Sequence, residues 1–277
     1  MYRLAIRRTI AFGTRGSAYA IARSMALMGV YFLSIMKKKL AGVLVFLAVF
    51  GLHGLSDVGQ REAEYVFARV EFNMPITERA FRFGQRLPPW AHDYPNSEHL
   101  FLTMLTEVTG VYTGPEAYQI VQLDSPDIFK YPFLYFSEPG FMDLTDEETE
   151  NFREYFNRGG FAMFDDFRGR DLYNLQFMMK KVFPNREMVR LDLSHPVFHT
   201  FYDIRTLEMT PPYINEDSGE PEFWGMSDEE GRLILVANHN NDFGEIWEWV
   251  DNGDRPLKEA VQSFQFGVNY LIYAMTH

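Results

Sequence analysis

Apolar positions along the chain change their period several times, and each change marks an element. Over Tyr65–Phe72 they alternate, with Val66, Ala68, Val70 and Phe72 on one side, which predicts a strand. A proline-rich loop then ends in Trp90-Ala91-His92-Asp93-Tyr94-Pro95. After it, Asn96 or Ser97 can cap a helix that presents Leu100, Met104, Leu105 and Val108 and stops at Gly110. Tyr118–Leu123 is a short strand, and Tyr131–Phe136 is the continuous apolar run of a strand covered on both faces. Thr145-Asp146-Glu147-Glu148 is a capping box, in which the threonine hydroxyl and the Glu148 carboxylate satisfy free helix N–H groups reciprocally. The helix it opens turns Phe152, Tyr155 and Phe156 inward and ends at Gly159-Gly160, ahead of a strand, Phe161–Phe164, that runs into Asp165-Asp166. Asp171 caps a further helix with Leu172, Leu175, Met178, Met179 and Val182 on one face, closed by Pro184. Met188–Leu193 and Arg232–Ala237 read as strands. From Pro256 onward, Ala260, Phe264, Val268, Leu271 and Met275 recur at helical spacing.

Strands alternating with helices predict a mostly parallel sheet with helices on both faces. No internal repeat or linker interrupts residues 60–277, which are expected to form a single α/β domain. Residues 1–59 read as a leader. Lys37-Lys38-Lys39 precedes a thirteen-residue apolar stretch, Leu40–Leu52, which is the length of a signal-peptide core and short of the about 20 residues a spanning helix needs. Met36 stands where a start would belong, so residues 1–35 look like an over-extended start and 36–56 like a signal peptide or membrane anchor. Met25–Ile35 is also apolar, and Arg7-Arg8 lies too far from an apolar run to act as a twin-arginine signal. In both cases the lysines stay inside and residues 60–277 are expected outside the cytoplasm, periplasmic or anchored to the inner membrane. Membrane contact is expected through the N-terminal hydrophobic segment only.

Charge sharpens that division. The formal net charge of the 277-residue chain is −12, yet residues 1–59 hold eight Lys/Arg and one Asp while residues 60–277 hold eighteen basic against thirty-seven acidic residues. A domain that acidic is repelled by phosphate backbones, so no nucleic-acid partner is expected. The chain contains no cysteine, which excludes thiolate catalysis, disulfides and Cys-ligated zinc, haem or iron–sulfur sites.

Open parallel sheets bind ligands beyond the carboxyl ends of their strands. Glu138, Asp165-Asp166 and His239-Asn240-Asn241-Asp242 stand at three such ends. Asp165 and Asp166 could hold a divalent cation or divide acid and base roles, with His239 as a further catalytic candidate; alternatively one carboxylate caps the next element and Arg168 pairs with the other. Glu138, Asn240 and Asp242 are candidate ligand-binding residues, with Trp247 or Trp249 offering a stacking face at the rim; the same stretch also reads as a polar turn whose aromatics anchor a helix. His195-Pro196-Val197-Phe198-His199 puts two imidazoles four apart, so His199 is a candidate metal ligand, although Pro196 opposes a regular helix and a hydrogen-bonded His199 is the simpler reading. Asp93-Tyr94-Pro95 with His99 is a weaker combination, and Asn269 reads as a buried side chain bonded to a loop carbonyl. No phosphate-cradling glycine loop and no Gly-x-Ser-x-Gly elbow is present.

From about residue 64 to 277 the chain resembles a bacterial family defined by domain of unknown function 4159. The carrying segments are Asp93-Tyr94-Pro95, the stretch from Phe129 to Phe133, the stretch from Gly159 to Phe167, that from His195 to Asp203, Gly231-Arg232-Leu233, Asn238-His239-Asn240 and the closing run from Gly267 to His277. Arg168 stands where that family has an aromatic residue. More distantly, the helix ending in Gly-Gly, the strand after it and the later Gly-Arg-strand-His are similar to the class I glutamine amidotransferase-like fold, in its trehalose-utilisation-like branch. That resemblance implies a flavodoxin-like layered domain but no glutaminase activity, since the cysteine of that chemistry is missing. Such families stand beside MoxR-type ATPases and von Willebrand A-domain proteins, which implies an envelope protein partner. The expectation is an exported amidotransferase-like domain that binds a ligand or partner in the cell envelope. The alternative is a metal-dependent hydrolase acting on a carbohydrate or peptidoglycan-like substrate, with Asp165 and Asp166 on the metal.

Overall fold

The computed structural model describes residues 63–75, 87–114, 116–211, 219–253 and 256–277. The leader expected over residues 1–59 lies outside them. No helix among the described residues is long and apolar enough to cross a membrane.

Seven strands form one sheet: β1 (Phe67–Glu71), β2 (Tyr118–Gln122), β3 (Phe133–Ser137), β4 (Phe161–Phe167), β5 (Val189–Arg190), β6 (Glu222–Ser227) and β7 (Leu233–His239). Their order is β2-β1-β3-β4-β7-β6-β5. The first five in that order are mutually parallel; β6 and β5 extend the sheet antiparallel beside β7. The helices are α1 (Asn96–Thr109), α2 (Asp146–Asn157), α3 (Asp171–Val182), α4 (Phe243–Glu248) and α5 (Leu257–Thr276).

Strand alternation divides the core in two. Phe133 and Tyr135 of β3 and Phe161 and Met163 of β4 pack with Phe101, Trp247 and Phe264 from α1, α4 and α5. Leu134, Phe136, Ala162 and Phe164 face the other way, against Phe152 and Phe156 of α2 and Leu175 and Met179 of α3. Every residue of β3 and β4 is buried, the apolar runs Phe133–Phe136 and Phe161–Phe164 and also the polar Ser137, Asp165 and Asp166 that follow them. The Thr145 capping box forms with both of its hydrogen bonds. At the other end of α2, the Tyr155 hydroxyl donates to the Phe161 carbonyl and accepts from the Phe161 N–H. A Cβ on Gly160 would stand 2.3 Å from that tyrosine ring, so the second glycine is there for close approach.

Several local expectations shift. Helix α1 buries Glu98, Phe101, Leu102 and Leu105 rather than a face through Val108, which is 38% exposed, because Glu98 reaches the buried Arg69 guanidinium. Pro95, without a side-chain cap bond, precedes that helix. Asp171 is the first residue of α3, not its cap, and its carboxylate accepts from the Arg168 N–H at 3.3 Å. The strand expected over Met188–Leu193 contracts to two edge residues. Strand β6 was not signalled, since Glu222–Ser227 has no clean alternation. Met275 is exposed, while the other four positions of the closing helix face are buried. Asn269 accepts from the N–H groups of Phe201 and Tyr202 and donates to the Tyr202 carbonyl, bonding a loop to α5.

Candidate functional site

The carboxyl ends of β3, β4 and β7 and the loop ahead of α1 meet at one edge of the sheet. Four non-glycine residues of the described chain take left-handed backbone angles: Asp93 (φ 64), Glu138 (φ 49), Asp166 (φ 54) and Asn240 (φ 56). Each such residue costs of order 1–2 kcal/mol, and all four lie in these connections. At Asp166 the positive φ falls in a register shift of the β4–β7 pairing between Phe164 and Phe167. A bulge of that kind re-aims side chains, and it separates the surroundings of two consecutive aspartates.

Asp165 points at donors. Its Oδ2 accepts from the Tyr135 hydroxyl at 3.0 Å and from the N–H groups of Phe243 and Gly244 at 2.8 and 2.9 Å. Its Oδ1 accepts from the Asn238 amide at 2.9 Å, and Asn238 in turn accepts from the Tyr270 hydroxyl. The network continues through Tyr135, whose ring lies 4.7 Å under the Arg69 guanidinium. Arg69 pairs with Glu98 and donates to the Trp90 carbonyl and the Ser97 hydroxyl, all beneath the protein surface. These polar groups are buried and bonded, as interior polar groups must be.

Asp166 points at other acids. One ligand atom each from His92, Asp93, Asp166 and Asp242 lies within 4.8 Å of the others. His92 Nδ1 is 2.8 Å from Asp166 Oδ2 and 3.3 Å from Asp93 Oδ1. Asp166 Oδ1 and both carboxylate oxygens of Asp93 are buried and receive no N–H or hydroxyl hydrogen bond among the described residues; their close neighbours are other carboxyls, Asp242 against Asp166 and Glu248 against Asp93. The nearest Arg168 nitrogen stands 4.0 Å from Asp166 Oδ1. Asp242 caps α4 by accepting from the Glu245 N–H at 2.8 Å, and its carboxyl lies against that of Asp166. Asp93, Glu245 and Glu248 form a second group with ligand atoms within 4.8 Å of one another. The imidazole of His92, 41% exposed, is the solvent-facing side of the first group.

The electrostatics follow from that crowding. Burial pushes the carboxyls of Asp93, Asp166 and Asp242 well above the usual aspartate range, and their mutual repulsion, with Glu138 acting on Asp166, pushes further. Burial alone would lower the His92 imidazole; the carboxylates of Asp93, Asp242, Glu138 and Glu245 outweigh it and raise it. Asp165 is also raised by burial, but its hydrogen bonds from Asn238, Gly244, Tyr135 and Phe243 oppose the shift. The first group therefore favours added positive charge, as protons or as a cation held by three carboxylates and an imidazole, a set that suits a divalent ion.

Among the residues singled out from sequence, Asp166 and Asp242 come together here, with Glu138 close enough to act on both Asp166 and His92. Asp165 stands behind them with its oxygens taken by protein donors. His239 is turned aside: its Nε2 donates to the Gly169 carbonyl at 3.0 Å and its Nδ1 lies 3.5 Å from Glu222. Asn240 ties loops together, accepting from the Gly169 N–H and donating to the Glu220 carbonyl. His199 is bound elsewhere, with Asp203 and the Leu193 carbonyl each 2.6 Å from its ring nitrogens, because Pro196 starts a short 3-10 turn in place of a two-histidine helix face. Trp247 is sealed in the core, its ring 4.6 Å from that of Phe101, because the Asp242 cap starts α4 in a phase that turns residue 247 inward. Trp249 is 39% exposed, and His99 lies exposed on α1. His92, Glu245 and Glu248 were not anticipated, and Asp93 only weakly. The available signal was the spacing Asp242, Glu245, Glu248, which puts three acids on one side of a short helix.

The family model described as "Domain of unknown function (DUF4159)" matches residues 66–275, and the chain belongs to that family. No curated protein matches it.

Proposed function

We propose that this member of a family of unknown function is a divalent-cation-dependent domain, with His92, Asp93, Asp166 and Asp242 as the ligand set and hydrolysis as the chemistry the site serves. The observation that carries the proposal is the Asp93 carboxylate: buried, receiving no N–H or hydroxyl hydrogen bond among the described residues, and set against the Glu248 carboxyl and the His92 ring. Leaving a carboxylate in that state costs several kcal/mol unless a proton or cation joins it. A bound divalent ion would lower the pKa of a coordinated water toward neutrality and polarise a substrate oxygen. Asp165 would hold the N-terminal backbone of α4 still beside the ligands, and His92, as a neutral imidazole ligand, would close the solvent-facing side of the site.

The five parallel strands, taken in chain order, run 2-1-3-4-5, which supports the flavodoxin-like, amidotransferase-like reading of the fold. With no cysteine in the chain, the amidotransferase nucleophile has no counterpart, and the end of β4 carries the carboxylates of the proposed cation site instead. Export and a place in the cell envelope belong to the same proposal, supported by the basic and apolar pattern of residues 37–52. So does a substrate of carbohydrate or peptidoglycan type.

The test is elemental analysis and Mn²⁺ titration of the full-length protein, purified without chelators or affinity metals. A stoichiometric ion, lost in a folded Asp166→Asn variant, is the expected result. A protein that carries no ion and binds neither Mn²⁺, Zn²⁺ nor Mg²⁺ would overturn the proposal and turn attention to a protein partner, sought by cross-linking in the envelope.

A further inference from the structure

Resting on that cation site, the geometry points to a second ion: we infer that Asp93 bridges two divalent cations, one held with His92, Asp166 and Asp242 and the other with Glu245 and Glu248. Asp93 is the one residue common to both groups of potential ligands. Its side chain is 1% exposed, and neither oxygen receives an N–H or hydroxyl hydrogen bond among the described residues; Oδ1 lies 3.3 Å from His92 and the carboxyl meets that of Glu248, so Asp93 faces both groups at once. Paired metal sites place their ions about 3.5–4 Å apart, the span a single bridging carboxylate serves.

Two further observations fit this arrangement. A Cβ on Gly244 would stand 2.6 Å from Asp93 Oδ2 and 2.7 Å from the Tyr135 hydroxyl, so the bare backbone at the start of α4 leaves room for both. Asp242, Glu245 and Glu248 follow one another at three-residue intervals, so the same short helix supplies acids to both groups, two of them half-buried toward solvent where an ion can enter. Formal charge agrees. The two groups together hold five carboxylates, so one divalent ion leaves a net charge of −3 and two leave −1.

Mn²⁺ titration of the full chain, followed by native mass spectrometry and electron paramagnetic resonance, tests the inference. Wild type is expected to take two ions and to show the broadened, exchange-coupled signal of a close pair at saturation. The Glu245→Gln/Glu248→Gln double variant is expected to keep one ion and the isolated six-line signal. Gly244→Ala, which crowds Asp93 Oδ2 but keeps both glutamates, is expected to lose the second ion as well. Wild type that saturates at one ion, with a six-line signal throughout, overturns the bridge and leaves the single-ion reading standing. A double variant that still binds a coupled pair also overturns it. Wild type that binds no ion removes both readings together.

Discussion

Asp165 and Asp166 are consecutive, of one residue type, and both fully buried, yet they live in opposite surroundings. The first receives four hydrogen bonds from two backbone N–H groups, a hydroxyl and an amide. The second faces Asp93, Asp242 and Glu138, with the His92 ring 2.8 Å away. A buried carboxylate with its donors is architecture. A buried carboxylate with other carboxylates around it is a place prepared for positive charge, and the difference is made by one bulge and one left-handed residue.

The comparison breaks first at Asp165. Asp165→Ala strands four donors in the interior and is expected to cost roughly 3–5 kcal/mol, read as a lowered urea midpoint. Asp166→Asn is expected to leave the cation-free midpoint unchanged or slightly higher, since it removes repulsion, while Mn²⁺ affinity falls at least about 100-fold by calorimetry. If the two variants behave alike, the distinction between them is wrong. A pH series sharpens it further. The carboxyls of Asp93, Asp166 and Asp242 titrate higher folded than unfolded, so the cation-free native state holds protons the unfolded chain has already released. Their stabilisation is complete below the ordinary aspartate range and is lost as pH rises through the raised values; His92, also raised, is lost in the same direction from about pH 6.5 upward. In chelator, stability is therefore expected to fall with rising pH by up to roughly 1.4 kcal/mol per unit for each proton retained. Saturating Mn²⁺ is expected to flatten or reverse that slope. The smallest effect is expected at Trp249→Ala, within about 0.5 kcal/mol and without change in Mn²⁺ affinity, because the exposed ring lies outside both ligand groups. A large loss of affinity there would move the site toward the rim.

The fold was legible where its signals are local. The Thr145 box, Gly159-Gly160 and the apolar runs of β3 and β4 each announce themselves within a few residues. Strand β6 did not, because it takes its extended form from pairing with β7; helix α4 was legible only as one of two readings of residues 239–249, since six residues are too few to show a helical period. At the site, the strand-end rule brought forward Glu138, Asp166 and Asp242. It could not separate Asp165 from Asp166, because alternation assumes a regular strand and this one is bulged. His92 and Asp93 precede a helix rather than follow a strand, so their arrival is a matter of tertiary closure. His199 was singled out by its spacing from His195 and Trp247 by residue type; His199 bonds close by, to Asp203 and the Leu193 carbonyl, while Trp247 packs on Phe101, far away in sequence.

The ligand atoms of the first group come from three connections, and His92 and Asp166 are 74 residues apart in the chain. No hairpin, helix pair or other short fragment contains the site. Strand β4, which carries Asp166, and strand β7, which ends shortly before Asp242, pair across an intervening α3, β5 and β6, a non-local closure. The site is therefore complete only in the folded chain, and an ion that bound it would favour the folded state by mass action. On the proposed cation site, metal supply would then set how much of the chain stays folded as well as what the folded chain does.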